Sequence, residues 1–104
     1  MEVKIGKLSD FPEGKMKKVF AQGKELLVVN IGGNLYSIDD ICTHEECSLA
    51  DGFLREEVVT CPCHLAQFNV KTGAVVQRPA TGADIESEPT FKITVKGEEV
   101  FAEV

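Results

Sequence analysis

Every cysteine and histidine of the chain lies in two short segments, Ile41-Cys42-Thr43-His44-Glu45-Glu46-Cys47 and Cys61-Pro62-Cys63-His64. Sixteen residues separate the first histidine from the second segment, and each segment places a histidine shortly after a cysteine. Thiolate sulfur and imidazole nitrogen bind zinc or the iron of an iron–sulfur cluster, whereas calcium and magnesium take oxygen ligands. The pattern therefore predicts a zinc site or an iron–sulfur centre in the middle of the chain.

A hairpin is predicted on the N-terminal side of these segments. The runs Glu25 to Asn30 and Leu35 to Asp39 are rich in β-forming residues. They are joined through Ile31-Gly32-Gly33-Asn34, whose glycines supply the positive φ that a tight hairpin turn requires.

A second hairpin is predicted on the C-terminal side. Phe91, Ile93 and Val95 alternate with polar residues, Gly97 makes the turn, and Val100 to Val104 returns. Because both ends of the chain supply strands, they are expected to form a β base that carries the middle of the chain as an insertion.

The middle of the chain is expected to contain short strands at Val58 to Thr60, Gln67 to Val70 and Ala74 to Gln77. Helical periodicity is weak, and a single helical turn is predicted between Glu45 and Ala50. The sequence thus predicts one all-β domain.

Composition narrows the classes of function. The 104 residues are 43% hydrophobic and 27% charged, as in an ordinary globular protein. A formal charge of -6 disfavours nucleic acid and anionic membranes as partners and suits a protein with a basic docking face. No apolar run reaches the ~18 residues of a membrane span, and the start of the chain lacks a secretory signal, so a cytoplasmic protein is expected.

The order Cys-x-His, sixteen residues, Cys-x-x-His resembles the Rieske signature. The resemblance implies that Cys42 and Cys61 hold one iron of a [2Fe-2S] cluster, and that His44 and His64 hold the other. Segments 48–52 and 68–73 also resemble those of Rieske ferredoxins. The implied fold is a Rieske-like antiparallel β-sandwich, with residues 1–40 and 78–104 as the base and residues 41–77 as the cluster-binding subdomain.

The resemblance also implies a function, that of a soluble one-electron carrier. Two ferric ions, two sulfides and two thiolates sum to zero charge, so an electron is accepted more easily than by a cluster with four thiolates. The expected partners are a flavin-dependent reductase and a terminal oxygenase, the carrier being a monomer that makes no bonds itself. In the family the histidine-bound iron is exposed, so His44 and His64 are expected to form the exit for the electron.

Cys47 and Cys63 occupy the positions at which respiratory Rieske subunits carry a disulfide between the two cluster loops. The resemblance therefore implies a Cys47–Cys63 disulfide, although two reduced and buried thiols are the alternative in a cytosolic protein. Pro79 follows the third short strand, and it either belongs to a third loop that covers the cluster or simply ends the strand.

A low reduction potential is predicted from the loop after the second ligand pair. Respiratory Rieske subunits have a Ser and a Tyr where this chain has Ala66 and Phe68, neither of which donates a side-chain hydrogen bond. If each missing hydroxyl donated a hydrogen bond to a charged sulfur, the absence of both would lower the reduction potential by about 130–260 mV.

Two alternatives stay open. Four of the six cysteines and histidines could form a structural zinc site, although their spacing is unusual for one. A small subunit of a nitrite-reductase-like complex would share the fold. A catalytic Rieske oxygenase is excluded, because its mononuclear iron requires two further histidines and the chain has only two in total.

Overall fold

The structure is a computed structural model that describes residues 1–43 and 47–104. Its strands, β1 to β11, are Glu2–Lys7, Met16–Ala21, Lys24–Ile31, Asn34–Asp39, Phe53–Arg55, Val58–Thr60, Gln67–Asn69, Val75–Gln77, Thr90–Phe91, Ile93–Lys96 and Glu99–Glu103. Two single 3-10 turns, Leu8–Asp10 and Leu49–Asp51, complete the regular structure. The predicted all-β class is confirmed. No helix among the described residues is long and apolar enough to cross a membrane.

The strands form three antiparallel sheets. The first has the order β1-β11-β10, the second β2-β3-β4-β9 and the third β5-β6-β7-β8. Glu2 pairs with Glu103, so both ends of the chain meet in the first sheet. The third sheet is built entirely from the chain between Phe53 and Gln77.

Strand β3 separates two hydrophobic cores, since its side chains alternate between them. Leu26 and Val28 belong to the base core, the buried residues Phe11, Val19, Ala21, Leu26, Val28, Val100 and Ala102. Leu27 and Val29 belong to the second core, the buried residues Leu27, Val29, Ile38, Cys42, Leu49, Val59, Cys61, Ala66, Phe68 and Val70. A strand that is covered on both faces needs a continuous apolar run, which explains the sequence Leu-Leu-Val-Val. The second core also contains two of the predicted ligands.

Both predicted hairpins are present. Strands β3 and β4 turn through Gly32 and Gly33, whose φ angles of 62° and 90° lie in the left-handed region that glycine adopts without strain. Strands β10 and β11 pair from Ile93 with Ala102 to Lys96 with Glu99. The three short strands of the middle segment also lie where they were predicted.

Several elements differ from the sequence-based expectation. Strands β1, β2 and β5 were not predicted. Strand β1 is stabilised by pairing with the distant β11, and β2 mixes lysines with apolar residues, so neither has a clear local pattern. Phe91 pairs with Ser37 of β4 and so belongs to the second sheet instead of continuing β10. The helical turn is Leu49–Asp51, at the end of the predicted window. Glu45 and Glu46 lie outside the described residues.

Candidate metal centre

The first ligand loop, named here for its predicted ligands, is the segment 41–48, and backbone contacts close it at its base. Ile41 forms an antiparallel bridge with Ser48, and the amide of Cys42 donates to the carbonyl of Cys47 at 2.9 Å. These contacts place the Cys42 side chain in the second core, where it is 2% exposed. The predicted ligand His44 lies outside the described residues.

The second ligand loop, the segment 61–66 that carries the other predicted ligands, is a tight turn between β6 and β7. The amide of Cys61 donates to the carbonyl of Ala66 at 2.8 Å, and the amide of Leu65 donates to the carbonyl of Cys61 at 3.1 Å. Leu65 has a φ of 64°, the left-handed conformation that reverses the chain. Cys61 is therefore directed into the second core at 1% exposure, while His64 is half-buried.

A disulfide between Cys47 and Cys63 joins the two ligand loops, as the family resemblance implies. The sulfur of Cys61 lies beside it, since the three sulfurs of Cys47, Cys61 and Cys63 are all within 4.8 Å of one another. The disulfide thus holds the second ligand loop against the first in the immediate neighbourhood of a predicted ligand.

The disulfide limits the donor set for a metal to two thiols and histidine. The disulfide removes Cys47 and Cys63 from the set of ligands, so only Cys42 and Cys61 offer thiols. Both thiols are buried, and His64 adds an imidazole from the second loop. Two thiolates with histidine suit a [2Fe-2S] centre of mixed ligation, and the same donors also occur in Cys2His2 zinc sites, so the donor set alone leaves both open.

A third loop, residues 78–88, covers the second ligand loop. The amide of Ala80 donates to the carbonyl of His64 at 2.6 Å, and Pro79 is buried. Ala66 and Phe68 are 1% and 0% exposed, so the surroundings of the second ligand loop are apolar at these two positions. Pro79 therefore belongs to a loop that packs against the second ligand loop, in addition to following the end of β8.

Asp40 is a fully buried carboxylate that supports the first loop, a role that the sequence alone does not indicate. Its oxygens accept hydrogen bonds from the Ser48 hydroxyl at 2.5 Å and the Ala50 amide at 2.9 Å, and the Lys18 ammonium lies 3.6 Å away. Lys18 also pairs with Glu25, and this hydrogen bond raises the pKa of the Lys18 side chain. Asp40 stands two residues before Cys42 in the sequence, and only the fold shows that its side chain is buried.

Glu88 is a second buried carboxyl near the first loop, and it too was not predicted from the sequence. It is 4% exposed, and desolvation by burial, with a further contribution from the charge of Asp39, raises its pKa to about 8. The hydrogen bond from the Thr43 amide lowers this pKa, and the charge of Asp40 raises it. The surroundings of Glu88 therefore favour the neutral form of its carboxyl group.

An antiparallel β-fold with two buried thiols in one core, on loops joined by a disulfide, fits a small metal-binding protein. Residues 1–97 match the family described as the Rieske [2Fe-2S] domain. The chain belongs to this family, and its cofactor is a Rieske [2Fe-2S] cluster.

The relatives are ferredoxins of dioxygenase systems. The chain is 32% identical over 97 residues to the "Naphthalene 1,2-dioxygenase system, ferredoxin component" of Pseudomonas aeruginosa, covering 93% of this chain and 89% of that protein. The ferredoxin of carbazole 1,9a-dioxygenase from Nocardioides aromaticivorans IC177 superposes with a TM-score of 0.88 at 27% identity, covering 98% of this chain and 96% of that one.

A second solved structure similar to this chain is the "Complex of reduced oxygenase and oxidized ferredoxin in carbazole 1,9a-dioxygenase". It superposes with a TM-score of 0.87 at 32% identity, covering 97% of this chain and 91% of that one. These relatives carry electrons as components of enzyme systems, and the prediction of an electron-transfer protein is confirmed.

Proposed function

We propose that this protein is the ferredoxin of an oxygenase system. In this role it accepts one electron from a flavin-dependent reductase and delivers it to a terminal oxygenase. The observation that carries the proposal is the pair of buried thiols, Cys42 and Cys61, on two loops that the Cys47–Cys63 disulfide joins. The names of the relatives support the oxygenase as the partner.

The ligand assignment is part of this proposal. Cys42 and Cys61 hold one iron, and His44 and His64 hold the other, as in other Rieske centres. Residues 41–77 form the cluster-binding subdomain, and residues 1–40 with 78–104 form the base. The protein works in the cytoplasm.

The cysteines and the histidines have different roles in the proposed electron transfer. The bound cluster supplies the one-electron redox chemistry. Cys42 and Cys61 bind it from within the second core, where burial excludes water from the thiolate side. His64 is more exposed than either thiol, so the electron leaves toward a partner from the histidine side.

A low reduction potential is also proposed, because two possible hydrogen-bond donors are missing. The side chains of Ala66 and Phe68 are buried beside the second ligand loop and carry no hydroxyl group. Without these donors, the negative charge added on reduction is less stabilised, which lowers the potential.

Electron paramagnetic resonance of the dithionite-reduced protein, with iron, acid-labile sulfide and zinc analysis, tests the cofactor and its ligands. We expect iron and sulfide in equal amounts, and an average g value below that of all-cysteine clusters. Cys42→Ser and Cys61→Ser should abolish the signal, whereas the matched Cys47→Ser/Cys63→Ser double variant should retain it. Stoichiometric zinc without sulfide, or a signal that survives Cys42→Ser, would contradict the proposal.

Stopped-flow spectroscopy tests the partners. The reductase of a naphthalene-type dioxygenase system should reduce the protein, and the oxidised terminal oxygenase of that system should then reoxidise it. A ferredoxin that is reduced by the reductase but not reoxidised by the oxygenase would retain the carrier role and refute the partner.

A further inference from the structure

The third loop returns to the body of the protein at Glu88, whose backbone is fixed from both sides. The Glu88 amide donates to the Gly73 carbonyl at 2.8 Å, and the following residue, Pro89, accepts from the Asp39 amide at 3.0 Å. A side chain at position 73 would collide with the Glu88 carbonyl, so glycine is required for this approach. The main chain from which the Glu88 side chain extends is therefore held in place by backbone contacts.

The Glu88 side chain reaches the residue that follows the first ligand. Its Oε2 accepts a hydrogen bond from the Thr43 amide at 3.2 Å. The Thr43 hydroxyl donates to the carbonyl of Glu86 at 2.8 Å, so two bonds connect Thr43 to the third loop. Thr43 directly follows Cys42 in the sequence, so these bonds restrict the backbone next to this predicted ligand.

The burial of this carboxyl is not explained by folding alone. Its second oxygen, Oε1, is buried and has no hydrogen-bond partner among residues 1–43 and 47–104. An apolar side chain would avoid the cost of burying such a group. The acidic neighbours Asp39 and Asp40 make a charged carboxylate still less favourable, so the group accepts the Thr43 amide mainly in its neutral form.

We propose that Glu88 is a positioning residue of the metal centre, clamping the first ligand loop to the third loop through the Thr43 amide. This inference rests on the ligand assignment proposed above. The clamp fixes the backbone at Thr43, directly after Cys42, and ties the third loop to the first ligand loop. It thereby limits both the loss of the cluster and the access of water to it.

Three variants of Glu88 and one control test the clamp. Glu88→Gln keeps a neutral acceptor of the same length, Glu88→Asp is one methylene too short to reach the amide, and Glu88→Ala removes the acceptor. Glu86→Ala is the matched control, because the Glu86 side chain is exposed and only its backbone carbonyl contacts Thr43.

The readouts are the reduction potential by protein-film voltammetry at pH 7, the g values, and the rate of cluster loss from the visible absorbance. For Glu88→Ala and Glu88→Asp we expect about five- to tenfold faster cluster loss, from one lost hydrogen bond. We also expect shifted g values and a raised potential, since water stabilises the charge added on reduction. Glu88→Gln should match the wild type in all three, as should Glu86→Ala.

Equal behaviour of Glu88→Asp and Glu88→Gln in all three readouts would overturn the clamp, even if Glu88→Ala does not fold. So would a loss of cluster from Glu86→Ala as fast as from Glu88→Asp. The wild-type spectrum separately decides whether the centre is a Rieske cluster. If the wild type instead holds another metal, the rate of release of that metal from the same variants still tests the clamp.

Discussion

The backbone amide of Ala80 donates a 2.6 Å hydrogen bond to the carbonyl of His64, and this contact ties the third loop to the second ligand loop. The preceding residue, Pro79, is buried, whereas Ala80 itself is exposed. A loop held by a main-chain bond and a buried proline shields the backbone of a ligand loop, although it contributes no ligand itself.

Pro79→Gly should loosen this cover. The unfolded chain gains freedom worth about 0.5–1 kcal/mol, and the buried ring is lost as well. We expect faster cluster loss and a lower midpoint of denaturant unfolding. Pro12→Gly is the control, because Pro12 is exposed and distant in sequence from the ligand loops. Equal rates of cluster loss in the two variants would show that the loop does not shield the centre.

Removing the disulfide should destabilise the protein without removing a ligand. Cys47 and Cys63 are 16 residues apart in sequence, and a loop of that length restricts the unfolded chain by about 3 kcal/mol in the chain-entropy model. The Cys47→Ser/Cys63→Ser variant should therefore unfold at lower denaturant concentration and still show the Rieske spectrum. Wild-type protein whose disulfide has been reduced should reproduce the shift, and an unchanged midpoint in both would refute this role.

Restoring hydroxyl groups near the second ligand loop should raise the reduction potential. If the hydroxyl of Ala66→Ser or Phe68→Tyr donates to a charged sulfur, each should raise the potential by about 65–130 mV. Ala74→Ser adds the same hydroxyl at an exposed position and should leave the potential unchanged. Voltammetry checks all three, and unshifted potentials in both buried variants would end this explanation of a low potential.

The raised pKa of Glu88 predicts how stability depends on pH. The folded value is about 8, above the ordinary 4.5, so between these pH values the folded state binds more protons than the unfolded state. The stabilisation that the folded state gains by binding this proton is fully present below about pH 4.5. It is lost as the pH rises toward 8, and the free energy of unfolding no longer changes from this source at higher pH. Relative to Glu88→Gln, which does not titrate, the wild type should lose stability over this range in denaturant melts. Parallel curves for the two proteins would contradict the assignment.

Asp40→Ala should destabilise the first ligand loop. The change leaves the Ser48 hydroxyl and the Ala50 amide without their acceptor, at a cost of about 1–3 kcal/mol for each group that stays buried. Asp51→Ala is the control, since Asp51 is an exposed acid in the adjacent turn and its removal should change stability by less than about 0.5 kcal/mol. Similar unfolding midpoints would show that Asp40 is not required.

The sequence by itself determined the chemistry and the local elements. Cysteine and histidine in a fixed order limit the metals that can bind, and this limit does not depend on the fold. The glycine pair at Gly32 and Gly33 and the alternation from Ile93 to Val95 specify hairpins, because turns and strand faces are set by neighbouring residues. These features are therefore predictable from the order of the residues alone.

Only the tertiary structure decided which distant groups meet. Strand β1 pairs with β11, Asp40 is buried against Ser48, and Glu88 reaches the Thr43 amide across 45 residues of sequence. The physical reason is that burial and long-range hydrogen bonds depend on how sheets pack, and an exposed and a buried carboxylate have the same letter in a sequence. The ligand types were readable from the chain, whereas the contacts that hold them in place required the fold.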